Sequence, residues 1–122
     1  MKKLLRKSLI RKLDSLVSKI VRERNPYCVQ CGSKKQSGAG HVFSRKYYST
    51  RWDLDNVYTQ CWSCNYRHKV SDPYLYWKWY QDKFGIDKFN QLALKAHEVS
   101  HFKESDLLEL LDQLGGKGKY EN

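Results

Sequence analysis

The stretch CVQCGSKKQSGAGHVFSRKYYSTRWDLDNVYTQCWSCN, residues 28–65, decides how this chain reads. It opens on one CxxC knuckle, Cys28-Val29-Gln30-Cys31, and closes on another, Cys61-Trp62-Ser63-Cys64. Two such knuckles on separate turns can set four thiolates tetrahedrally around one zinc. That ion would hold together a short irregular segment with little apolar interior of its own. Between the knuckles stand Gly40-His41 and Asn56, and Asn65 directly follows the last cysteine.

The rest of the chain sets the context. At 122 residues it reads as one domain with a helical extension, and its 40% hydrophobic content suits a modest core. The formal net charge of +10 favours a polyanionic partner. Most of that charge lies in the first half, beside and within the cysteine segment. Residues 73–122 are close to neutral. The start, MKKLLRKSLIRKL, has no apolar run long enough for a secretory signal, and no segment approaches the ~20 residues of a membrane span. A cytoplasmic location with reduced thiols is therefore expected, which favours zinc over disulfides.

Residues 1–25 read as a basic amphipathic helix. Leu5, Leu9, Ile10, Leu13, Leu16, Val17, Ile20 and Val21 form one broad stripe at the helical period, with Lys7, Arg11, Lys12, Lys19 and Arg22 mostly opposite. Asn25-Pro26 ends it. At ~1.5 Å per residue the rod would be about 33 Å long, enough for part of the stripe to meet a second copy of the chain. Cations crowd its first turns, where the helix dipole disfavours them, so an anionic partner is indicated.

Residues 26–72 read as the zinc-bound segment, with a turn at Ser37–Gly40, a short strand at His41–Phe43, a second strand at Val57–Gln60 and a short helix from Cys64. Residues 73–116 read as helical. Asp72-Pro73 starts a helix that Gly85 stops, with Tyr76, Trp77, Tyr80 and Phe84 inward and Tyr74 and Trp79 outside that face. Helices from about Asp87 to Val99 and Ser105 to Leu114 follow. Residues 117–122 read as an unstructured tail.

As chemistry alone, His41 offers a neutral imidazole able to activate water near pH 7. Asn56 could hold a loop or the imidazole. Asn65 and His68, three apart on a helix, could bind a hard cation such as Mg²⁺ or Mn²⁺. Arg45, Lys46 and Arg51 supply phosphate-binding charge. A base, a metal and cations are what phosphodiester hydrolysis needs. The same residues also suit a zinc module that binds DNA without cutting it, or a protein adaptor docking through the aromatic helix 73–84 and the leucine-rich 107–114. Residue chemistry leaves these readings side by side.

The run Cys28-Val-Gln-Cys31-Gly … Gly40-His41-Val-Phe-Ser-Arg45 … Asn56-Val … Gln60-Cys61-Trp-Ser-Cys64-Asn65 resembles HNH (ββα-metal, His-Me finger) endonucleases. More closely it resembles the phage NinG (Rap) recombination proteins, structure-specific nucleases of branched DNA. Leu13-Asp14-Ser-Leu16-Val-Ser18 is similar to their first helix, and the knuckle layout is similar to phage endonuclease VII resolvases, which are zinc-stapled dimers. The resemblance implies an α+β fold: a zinc-stapled ββα core with a long N-terminal helix and C-terminal helices. It implies His41 as general base, Asn56 as the middle Asn of the motif, Asn65 as metal ligand, branched DNA as substrate and a homodimer as working form. Many HNH enzymes carry an acidic or histidine ligand just before the base. Here Gly40 stands there, as it tends to in the NinG-like group, so His68, Asp53, Asp55 or Asp72 is expected to complete the metal site, His68 first.

Overall fold

The computed structural model describes residues 2–35 and 37–115. Helix α1 (Lys2–Arg24) is followed by strand β1 (Ser37–His41), a one-turn helix α2 (Tyr48–Arg51), strand β2 (Val57–Cys61), helix α3 (Trp62–Tyr66) and a π-helical turn (Arg67–Ser71). Helices α4 (Tyr74–Phe84), α5 (Ile86–Ala96) and α6 (Glu104–Gly115) complete an α+β chain. The expected tail, 117–122, lies outside the described residues.

The two strands pair antiparallel, with Gly40 opposite Tyr58 and His41 opposite Val57. Side chains alternate across a strand, so this small sheet buries both of its faces, and every β2 residue is buried. On one face Leu9, Leu13, Val17 and Val21 of α1 pack with Trp52, Val57 and Leu107, and Leu110, Leu111 and Leu114 of α6 close over them. On the other, Val42, Phe43 and Tyr58 pack with Tyr76 and Tyr80 of α4 and Leu92 and Ala96 of α5. Arg24 fastens the end of α1 to the sheet, donating to the carbonyls of Leu54 (3.1 Å) and Val57 (2.7 Å) and lying over the Tyr58 ring.

Several expectations change. The glycine-rich Ser37–Gly40 is the strand itself, not a turn, and the strand ends at His41 instead of running to Phe43. Glycine at position 40 leaves room for the Gln60 side chain, which would have to shift if a Cβ stood there. Trp79 is not outside the α4 core: it stacks on Tyr76 at 5.6 Å and meets Tyr58 edge-on at 5.2 Å, because β2 packs on that side of the helix. Tyr74 is 59% exposed, as its wheel position requires. Most of the apolar stripe of α1, from Leu9 to Val21, is covered within the chain by α6 and the sheet, while Leu5 is 48% exposed. Among the described residues no helix is long and apolar enough to cross a membrane.

Candidate metal centre and groove

The two knuckles converge. All four cysteine sulfurs lie within 4.8 Å of one another. The Sγ atoms of Cys31 and Cys61 are 3.7 Å apart. Zinc–sulfur bonds of about 2.3 Å place tetrahedral sulfurs about 3.8 Å apart, and a disulfide requires about 2.05 Å, so the spacing is that of a zinc cluster. Cys28, Cys61 and Cys64 are buried, and Cys31 is exposed. The sulfurs are also hydrogen-bonded as thiolates would be. The Cys64 N–H points to Cys61 Sγ at 3.5 Å. Burial opposes ionisation of Cys28, but the backbone N–H groups of Cys61, Cys31 and Gln30 outweigh it and bring the thiol down to about 7. Burial and the neighbouring sulfurs push Cys64 up. Four thiolates this close need a dication to coexist. The cysteines are thus positioned to bind a metal ion, with zinc the best match to an all-sulfur set.

Beside this centre runs a groove of about 770 Å³, walled by α1, the segment after β1, and the α3 to π-helix stretch. His41, Arg45, Lys46, Asn65 and His68, all singled out in the sequence, line it together. His41 Nε2 lies 2.9 Å from the Arg51 carbonyl oxygen. A carbonyl can only accept, so Nε2 carries the proton and Nδ1 keeps its lone pair. Burial is the main cause that lowers the His41 pKa, to about 4, against the opposing hydrogen bond to Arg51. The ring is therefore neutral at physiological pH.

Asn56 is fully buried and bonds only to backbone. Its Oδ1 accepts from Phe43 N–H (2.8 Å), and its Nδ2 donates to the carbonyls of Phe43 (2.9 Å) and Thr50 (3.0 Å). It holds the 42–56 loop, and among the described residues it makes no hydrogen bond to the imidazole. His68 donates from Nε2 to the Val42 carbonyl (2.9 Å) and sets its ring edge-on to Tyr76. Its Nδ1 is buried and has no hydrogen-bond partner among the described residues.

Asp14 is the groove residue that sequence reasoning missed. Its carboxylate takes two hydrogen bonds from Arg51, Nε to Oδ1 at 3.0 Å and Nη2 to Oδ2 at 2.7 Å, and a third from Trp52 Nε1 at 2.9 Å. Arg45 lies 3.7 Å away. Burial acts to raise the Asp14 pKa, but the Arg51 and Trp52 bonds and the two guanidinium charges hold it below its usual range. Arg51 is therefore balanced inside the protein, with its side chain 15% exposed, and its carbonyl is the group that orients His41. The one available signal was an acid among the basic residues of α1. The acids expected as possible ligands to complete the metal site are engaged elsewhere: Asp53 with Lys95 (2.6 Å), Asp55 with Lys88 (3.8 Å), and Asp72 with the Tyr74 N–H (3.0 Å).

Asp14→Asn is expected to lower stability at neutral pH by about 1–3 kcal/mol, because it strips a part-buried guanidinium of its anion. The depressed carboxyl contributes stability above its unfolded value of 3.8, and that contribution is lost as pH falls through the folded value. Urea unfolding of parent and variant should therefore differ at pH 7 and converge in acid. An equal gap at both pH values would count against the ion pair.

Lys7, Arg11, Lys12, Lys19 and Arg22 are all exposed on α1. At 100° per residue, Lys7, Arg11 and Arg22 fall on the same side as Asp14 and Ser18, which line the groove, whereas Lys12 and Lys19 lie further round.

No curated protein matches the chain, and no solved structure does. A family model described as "Bacteriophage Lambda NinG protein" matches residues 1–120. Nearly the whole chain is covered, including α1, both knuckles and the C-terminal helices, so the protein belongs to the phage lambda NinG family.

Proposed function

We propose that this protein is a divalent-metal-dependent DNA endonuclease of the HNH type that acts on branched DNA in phage recombination. The observation that carries the reading is His41. It is neutral, fixed by the Arg51 carbonyl in the tautomer that leaves Nδ1 as a base, and set in a groove with Asn65 and exposed cations. The order β1, β2, α3, with the base at the end of β1 and Asn65 on α3, supports the same reading.

In this reading Arg45, Lys46 and Lys69 hold the phosphate at the groove rim. His41 takes a proton from the attacking water. Arg51, bound to Asp14, serves to fix His41 more than to touch DNA. A Mg²⁺ or Mn²⁺ ion held there would supply charge stabilisation at the leaving 3′ oxygen. The groove offers that ion the amide oxygen of Asn65, with the buried Nδ1 of His68 in the wall, but Asp14 has spent its oxygens on Arg51 and Trp52. Phosphate oxygens and water would complete its shell. The cysteine-bound zinc is structural, since four thiolates leave no open position.

The shortage of a free carboxylate favours one rival, a zinc module that binds DNA without cutting it. A cleavage panel separates them. Four-way junction, flap, single strand and linear duplex are incubated with Mg²⁺ or Mn²⁺, or without added metal. Metal-dependent cutting, strongest on branched substrates, is expected. Binding without cutting under every condition would leave the rival.

The α1 cations give a further expectation. Replacing Lys7, Arg11 and Arg22 with Gln should weaken binding of every DNA alike. The slope of log affinity against log salt should fall by about 0.9 for each duplex phosphate that the variant no longer neutralises. An unchanged slope, read from fluorescence anisotropy over a salt series, would mark this face as ordinary solvated charge.

A further inference from the structure

Helix α3 does two buried tasks. Cys61 caps it and Cys64 anchors it in the cysteine cluster, and Asn65 reaches the groove. Its outer side carries something neither task explains. Trp62 and Tyr66, one turn apart, are 61% and 50% exposed. Their rings stack on each other at 5.0 Å with 17° between planes. Trp52, by contrast, is buried in the α1 core. An exposed tryptophan contributes little to a core while keeping a large apolar face in water. Here the pair is stiffened by mutual stacking and by a helix tied to the metal centre. The next residues add charge complementarity to DNA: Arg67 is exposed, Lys69 lines the groove, and neither forms an ion pair among the described residues.

We propose that Trp62 and Tyr66 form a stacking platform for an unpaired nucleobase of DNA lying in the adjoining groove. Every base has a π face, so such a platform is indifferent to sequence. It does discriminate by structure. Bases inside a duplex have both faces covered, and only a base at a branch, flap or single-stranded stretch can lie on the indole. The platform therefore names the feature of the substrate that the groove alone does not select, and it rests on the DNA-binding part of the function proposed above.

The test is a binding measurement on the full-length, zinc-loaded protein without added Mg²⁺ or Mn²⁺, so that cleavage plays no part. Fluorescence anisotropy follows a short oligodeoxythymidine and a blunt, fully paired linear duplex. Trp62→Ala with Tyr66→Ala should lose about tenfold or more in affinity for the oligodeoxythymidine and keep its affinity for the duplex. Zinc content and circular dichroism report whether the double variant is folded. Trp62→Phe guards against a folding defect: it should retain affinity, while the larger part of the tryptophan quenching expected on oligodeoxythymidine binding to the parent is lost, the remainder coming from Trp77 in the groove wall. Unchanged affinity in the double variant, an equal loss on both DNAs, or quenching that survives undiminished in Trp62→Phe would overturn the platform and leave the groove as a DNA site. So would a parent that dimerises through this pair, shown by sedimentation, with oligodeoxythymidine binding unaffected by the substitutions. A parent that binds neither DNA would overturn both the platform and the DNA reading beneath it.

Discussion

His41→Ala is expected to lower the rate of DNA cleavage by about 10²–10⁴-fold, the usual cost of losing a general base. The large effect follows from how little else in the groove can do the task. His68 has its Nε2 proton on the Val42 carbonyl and its other nitrogen buried, and the Asp14 carboxylate is occupied by Arg51 and Trp52. Binding should change little, because the imidazole is neutral and contributes no phosphate charge. Folding should survive as well. The side chain is only part-buried and makes a single hydrogen bond, to the Arg51 carbonyl. Burial lowers its pKa from 6.5 to about 4, so the unfolded chain binds the proton first as pH falls. The parent therefore loses stability as pH drops through that window, and the alanine variant should lose less. Single-turnover cleavage of a four-way junction, with Kd measured in parallel, reads both halves of the prediction. A variant that cuts as fast as the parent would remove His41 from the chemistry.

What the residues announced in advance, and what they hid, divides along physical lines. The knuckles were legible because CxxC spacing reports metal geometry directly. The span of α1 was legible because its stripe has the helical period and Asn25-Pro26 stops it. Strand β1 was hidden because its reason for being glycine-rich lies elsewhere in the chain: Gln60, on the partner strand, fills the space a Gly40 side chain would need. The same contact gives a steric reason for the missing acidic neighbour of His41. Asp14 was hidden for a similar reason. Its partners stand 37 and 38 residues away, and no local pattern ties a helix carboxylate to the loop that orients an imidazole. Trp79 was misplaced because a helical wheel has one inside, whereas α4 packs against both β2 and α5. Local periodicity therefore located the elements, while contacts between distant segments built the groove.

Removing the zinc should have the largest effect of all: loss of the folded domain. Structural zinc in small sites contributes apparent binding energies on the order of 10 kcal/mol or more, and whole domains are typically stable by only about 5–15 kcal/mol. The loss is therefore comparable with the entire stability. The knuckles also occupy a mechanical junction. The first is a tight loop held locally by Gly32 N–H to Cys28 O and Cys28 N–H to Ser33 O, and tied to β2 by Val29 N–H to Thr59 O. The second ends β2 and begins α3, so the metal links the sheet shared by both cores to the helix that carries Asn65. Four close thiols without a cation would be left in a buried pocket where burial and neighbouring sulfurs already push Cys64 upward. Elemental analysis should find about one zinc per chain. Cys64→Ser, which alters a buried ligand, should abolish cooperative thermal unfolding, and a strong chelator should do the same to the parent. Acid should release the metal as protons compete for the sulfurs. Cys31→Ser, at the exposed corner of the cluster, should be the least damaging of the four. A protein that stays folded with all four thiols free and no metal bound would break the argument, because the loop from Cys28 to Ser33 would then hold its place by hydrogen bonds alone.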